Sequence, residues 1–234
     1  MIFSSLLFLF RFLPVVLILY YAAPVRLRNL ILFIASLVFY AWGEPVYIVL
    51  MTVSILVSYL GGILVDRYVQ KGRRGSAKAA LLLSCTVSLS LLGFFKYANF
   101  LIDTINSLTG AGFALLSISL PIGISFYTFQ TMSYTIDVYR GEAKVQKNLI
   151  SFGAYVAMFP QLIAGPIVNY TEVSSCLKRR TVTARDFESG VRILVIGLGS
   201  KVIIADRVGM LWNNVQTIGF NSISTPLAWL GAVA

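Results

Sequence analysis

Apolar residues come in long blocks along this chain, and polar residues gather in short interruptions between them. Several blocks approach the ~20 residues that a helix rising 1.5 Å per residue needs to cross hydrocarbon. The first runs from about Ile2 to Ala23. It is too long for the apolar part of a signal peptide and has no basic stretch before it, so it reads as a retained helix. After Pro24–Arg28 come a short block at about Asn29–Trp42, the turn Gly43-Glu44-Pro45, and a block at about Val46–Val65. Asp66–Lys78 reads as a basic loop, and about Ala79–Ile102 as a fourth span with Lys96 near its end. A polar turn at Asp103–Gly112 precedes a fifth span at about Phe113–Tyr139, then Arg140–Asn148, then an apolar run at Leu149–Val168. Thr183, with Asp186 three residues on, has the form of a capping box, and the segment reads either as an interfacial amphipathic helix feeding a span at Val191–Met210 or as an ordinary polar connector. A last apolar run begins at Pro226 and stops at Ala234, which reads as a truncated chain.

Composition agrees with the pattern. Apolar residues make up 58% and charged residues 12%, with mean hydropathy +0.83, against roughly 45–50% and about 25% in soluble domains. The expected fold class is all-α: a polytopic transmembrane helical protein with six to eight membrane segments in a single membrane domain, 1–234. The net charge of +10 sits in loops between apolar runs, so its partner is the lipid bilayer and no nucleic acid is implied. Cys85 and Cys176 form neither a disulfide framework nor a metal-ligand spacing, and no metal is expected. The chain has no histidine, which removes the commonest general base.

Loop charges orient the chain. Pro24–Arg28, Asp66–Lys78 and Arg140–Asn148 hold two, five and three basic residues, while Gly43–Pro45 and Asp103–Gly112 hold none. The positive-inside rule makes the basic side cytoplasmic and puts the N-terminus outside. A full crossing at Leu149–Val168 would then place Lys178, Arg179, Arg180, Arg185 and Arg192 outside. Either the run is re-entrant, broken near Phe159-Pro160 and Gly165-Pro166, or the charged stretch lies along the outer surface. Re-entry is preferred, and it requires surrounding protein or a cavity.

Few residues suggest chemistry. In Leu120–Glu142, Tyr127, Gln130, Tyr134 and Asp137 recur at spacings of three, four and three, one stripe of a helix. With Gln161 in the broken run, they form the candidate cavity-lining set. The stripe fits either a polar cavity or hydrogen bonding between helices. Asp137 and Arg140 are expected to pair at the cytoplasmic boundary. Lys201 and Asp206, five apart, share no face of an α-helix and read as end-of-helix charges. Arg11 near the middle of the first block must find a partner or snorkel, since a charge there costs roughly 2.5–3.5 kcal/mol.

Four strings occur in order: IFSSLLFLF at the start, LFIASLVFYAWGEP at Leu32–Pro45, LPIGISFYTFQTMSYTIDVYRGE at Leu120–Glu142 and FPQLIAGPIVNY at Phe159–Tyr170. Together they resemble the membrane-bound O-acyltransferase family, in the branch that O-acetylates alginate, over essentially the whole chain. The resemblance implies a multi-pass enzyme of the bacterial cytoplasmic (inner) membrane that passes an acyl group, here acetyl, to an extracytoplasmic polysaccharide. It implies an acyl donor but no bound cofactor, and periplasmic O-acetylation proteins as partners. The family's key histidine lies in a later region, so this chain resembles the N-terminal half. No catalytic residue carries over, and the chain alone is expected to lack transferase activity. Three other readings stay open: D-alanyl transfer to teichoic acid, a membrane transporter, and an inactive truncated fragment. Against the transporter, the two halves show no internal repeat.

Overall fold

The computed structural model describes residues 4–162, 165, 168–178, 182–218 and 224–233, and every regular element among them is helical. The chain divides into two compact units, one of Leu7–Arg179 and one of Arg180–Ala234 with Ile2–Leu6.

In the first unit a wide π turn, Phe8–Phe12, leads into α1 (Leu13–Ala22), and the Leu13 N–H closes the five-residue loop onto the Phe8 carbonyl. Then follow α2 (Val25–Gly43), α3 (Ile48–Gln70) and α4 (Arg74–Thr109). Among the described residues these last three helices are long and apolar enough to cross a membrane. Two shorter apolar helical stretches, Phe8–Ala22 and Leu149–Leu162, accompany them. Three such helices do not establish the six to eight segments expected.

The reasons lie in specific residues. The block expected at Phe113–Tyr139 is helical only in α5 (Ile124–Arg140). Pro121 and Gly123 stop the helix from extending towards Phe113. Gly123 sits at φ +76, where a Cβ would be strained and would also come 3.0 Å from the Leu162 carbonyl. In the other direction, the loop expected at Asp66–Lys78 shrinks to the turn between α3 and α4. Arg, Lys, Ala and Gln are good helix formers, so both helices continue through the basic residues.

Helix α4, at 36 residues, is ~54 Å long against the ~30 Å of a bilayer core. Its C-terminal third holds the extended stretch that follows. Asn106 donates to the Phe113 carbonyl (2.8 Å) and accepts from the Phe113 N–H (2.9 Å). Asn99 does the same with Leu116, at 2.9 and 2.8 Å. Two helical turns between the asparagines (~10.5 Å) match three extended residues (~10 Å).

The unit's core is α6 (Leu149–Ala157), where every residue from Ser151 to Ala157 is buried. A helix apolar all round must be covered all round, and α2, α3, α5 and α8 (Tyr170–Lys178) pack against it. It ends at Met158 because Pro160 cannot donate to the Val156 carbonyl and would clash with it. The short α7 (Phe159–Leu162) follows, and Ser36 Oγ on α2 accepts the freed Phe159 N–H at 3.2 Å. The break expected near Phe159-Pro160 is thus present at Met158. The one expected near Gly165-Pro166 reaches residues outside those described, as do Arg179 and Arg180.

Small residues bring α3, α4 and α5 together. A Cβ on Gly61 would meet Ser84 Oγ at 2.5 Å, and one on Gly62 would meet the Tyr134 ring at 2.8 Å. Packing of this kind replaces the hydrophobic drive that lipid does not supply.

The second unit is built on one continuous run of helix: α9 (Ala184–Ser200), a π turn at Lys201–Ala205, and α10 (Asp206–Ile218), with α11 (Thr225–Val233) after it. The expected capping box is present: Asp186 N–H donates to Thr183 Oγ1 at 3.2 Å and Thr183 N–H to Asp186 Oδ2 at 2.9 Å. Those bonds hold the Asp186 carboxyl below the usual carboxylate range.

Candidate functional site

The polar stripe of α5 turns towards α6. Tyr127, Gln130 and Tyr134 are all buried there. Gln130 Nε2 donates to the Tyr155 carbonyl at 3.3 Å, and the Tyr134 hydroxyl accepts the Gln146 N–H at 2.9 Å. Asp137 lies on the same stripe at its half-buried end, and its carbonyl accepts the N–H groups of Glu142 and Ala143 as the helix closes at Gly141. Among the described residues no ion pair joins Asp137 to Arg140, which corrects the expected pairing. Gln161 stands apart on α7, with its Nε2 buried and without a partner.

Gln146 is the junction that periodicity alone did not single out. It precedes the Asn148 cap of α6, and its Nε2 donates to the Tyr170 hydroxyl (2.9 Å) while its Oε1 accepts the Asn148 N–H (3.1 Å). Asn148 Oδ1 in turn accepts the Ser151 N–H. Around these bonds stand Tyr134, Phe152, Tyr155 and Tyr170, with ring centroids 4.7 to 6.2 Å apart. Burial raises the Tyr170 phenol above its usual range, and the Gln146 hydrogen bond pulls the other way. Tyr170 stays a neutral hydrogen-bonding group at ordinary pH.

A second pair of phenols differs. Tyr40, near the end of α2, and Tyr127, in the first turn of α5, neighbour each other. Both are buried, and neither hydroxyl completes a hydrogen bond at good geometry. A buried hydroxyl left without a partner costs ~1–3 kcal/mol. Both lie towards the end of the unit opposite the basic loops.

In the second unit, Lys201 Nζ lies 2.8 Å from Asp206 Oδ1 and also 2.8 Å from Ser4 Oγ. The π turn corrects the expectation that these charges share no face, since i→i+5 bonding widens the turn enough to stack residues five apart.

Chemically, the first unit offers phenol and amide groups in a dry setting. It offers no imidazole and no group of carboxylates. Among the described residues no set of His, Cys, Asp and Glu could hold a metal. Such a set can orient and hydrogen-bond a polar group, and it lacks an evident base for a hydroxyl. What the geometry defines is a polytopic membrane protein with a buried hydrogen-bonding interior.

Comparison with known proteins narrows that class. Over 238 aligned positions that take in all of this chain, it is 43% identical to the "Probable alginate O-acetylase AlgI" of Pseudomonas aeruginosa and covers 45% of that protein. It is 42% identical to the AlgI of Azotobacter vinelandii over 238 residues, 47% of that protein. A peptidoglycan O-acetyltransferase of Helicobacter pylori is 29% identical over 269 aligned positions that take in all of this chain and 50% of that protein. No family model and no solved structure matches. Over its whole length the chain is similar to several proteins named alginate O-acetylase AlgI. It spans about half the length of the curated relatives it matches.

Proposed function

We propose that this chain forms the first part of an enzyme transferring acetyl groups to the hydroxyls of an extracytoplasmic polysaccharide, with alginate as the acceptor. The observation that carries this reading is the similarity, over the whole of this chain, to about half of each of several proteins named alginate O-acetylases. A sugar hydroxyl attacking an acyl carbonyl must lose its proton, and the oxygen of that carbonyl gains negative charge. The Tyr40 and Tyr127 hydroxyls are donors suited to a carbonyl or sugar oxygen. With no histidine in the sequence, the base comes from outside this chain's residues. Lipid enters as solvent, an acyl donor as co-substrate, and periplasmic O-acetylation proteins as partners. The distribution of basic loops favours the inner membrane with the N-terminus outside.

A second acceptor has its own support: the Helicobacter pylori relative is named for peptidoglycan. Both can be tested in one host. The reading frame containing this chain is expressed in an alginate producer lacking its own O-acetylase, and acetyl esters are measured by NMR on alginate and on peptidoglycan. Esters restored on alginate support the proposal. Esters on peptidoglycan alone, or D-alanyl esters in their place, overturn the acceptor or the acyl group. Acetyl transfer by the purified 234-residue chain would overturn the assignment of the base elsewhere.

A further inference from the structure

We propose that the groove between α1 and α2 binds one anionic phospholipid, with the Arg11 guanidinium on its phosphate. The groove encloses about 620 Å³, within the ~300–1,000 Å³ of sites that hold small molecules. Arg11 is the one charged residue in its lining, and Val16 and Ala35 form the floor. Arg11 is exposed, and among the described residues it has neither an ion-pair nor a hydrogen-bond partner.

Height along the helices identifies the occupant. Trp42 marks one end of the groove, and Leu19 with Ile31 the other. From Trp42 to Ile31 the α2 axis rises ~16 Å, about half the ~30 Å of hydrocarbon, which is one leaflet. Trp42, 61% exposed, sits where indole rings favour the membrane–water boundary. Arg11 lies at this same end, since the neighbouring Phe12 and Phe8 pack on Phe39, one turn below Trp42. The opposite end of the hairpin carries Arg28, 5.4 Å over the Tyr20 ring, on the side of the basic loops.

At the depth of Arg11, the anions supplied by the bilayer are lipid phosphates. A guanidinium takes a phosphate through two parallel hydrogen bonds, so the pairing is charged and directional. An apolar trough one leaflet long beneath that charge fits an acyl chain.

Native mass spectrometry of the protein, exchanged into equimolar phosphatidylglycerol and phosphatidylcholine, tests this. The expected result is one phosphatidylglycerol retained per chain. Arg11→Leu should lower its retention about fivefold, the factor one basic residue contributes at an anionic membrane surface, and Arg11→Lys should keep most of it. Ala35→Phe, which fills the floor, should expel the lipid with Arg11 still in place. Equal retention of the two lipids, or undiminished phosphatidylglycerol on Arg11→Leu, overturns the proposal. So does a cross-link from position 11 to another protein segment in lipid-free samples.

Discussion

The two units handle polar groups inside an apolar chain in opposite ways. In the first, Gln130, Tyr134, Gln146 and Tyr170 are buried and bonded to one another or to α6. In the second, α9 buries no residue, and its polar centre is the Lys201–Asp206 pair, each partner more than two-fifths exposed. The first unit buries its polar groups and partners most of them, with Tyr40, Tyr127 and Gln161 among the exceptions. The second presents a helix whose apolar flanks, Ile193 to Ile196 and Val202 to Ile204, are open, with a charge pair set among them. Ionised groups on such a surface are kept where a partner or a cavity receives them.

Substitutions can break this contrast, and the largest effect is expected in the first unit. Phe152→Ala removes a ring that touches Tyr59, Tyr134 and Tyr155. It should cost about 3 kcal/mol, the low end for a buried Phe because lipid supplies no transfer gain. Thermal unfolding in detergent would report it. Ile203→Ala, at a 71% exposed position, should stay within about 0.5 kcal/mol in the same assay. Equal losses at the two sites would erase the distinction between the units.

Next in size is Lys201→Met. It leaves Asp206 unpaired on an apolar helix, at about 2.5 kcal/mol if charged in hydrocarbon. The double variant Lys201→Met/Asp206→Leu should recover most of that loss in a membrane-insertion assay. A single variant that inserts as well as the parent would place the pair in water. Gln146→Leu comes third. It strips partners from the Asn148 N–H and from Tyr170, at ~1–3 kcal/mol for polar groups left buried, and should lower the melting temperature without loss of helix by circular dichroism.

The smallest effect concerns pH. The folded-state pKa of Asp186 is below its ordinary value, so its stabilising bond with Thr183 is fully present above the ordinary carboxylate pKa and is lost as pH falls through the depressed one. Hydrogen exchange at Arg185–Phe187 should therefore rise in acid below the usual carboxylate range. Asp186→Asn should remove most of that dependence. Exchange insensitive to acid in the parent would show that the capping box does not hold the first turn of α9.

What could be read from the residues followed what is periodic. The spans around α2, α3 and α4, the break near Pro160 and the Thr183–Asp186 box are local consequences of hydropathy, proline chemistry and capping. The limits arose where backbone geometry departs from the regular helix. Spacing rules assume 3.6 residues per turn, so the π turn that brings Lys201 onto Asp206 was invisible to them. The block at Phe113–Tyr139 was apolar enough to pass for a helix, and hydropathy does not register that Pro121 and Gly123 divide it. The stripe Tyr127–Gln130–Tyr134 was legible as a face. Its neighbours were not, because Gln146 and Tyr170 meet it through a loop with no period at all. The buried phenols of Tyr40 and Tyr127 lie on separate helices, and only the tertiary fold makes them a pair.

The clasp of Asn99 and Asn106 on Phe113 and Leu116 has a consequence for how this stretch can vary. Each fastening closes only because helical rise and extended rise agree over the interval between them. A one-residue insertion between the asparagines, or between Phe113 and Leu116, would put the two rulers out of step and open at least one end. The side chains in between are free to drift in identity. Their number is not, so the clasp works as a gauge of chain length written into α4.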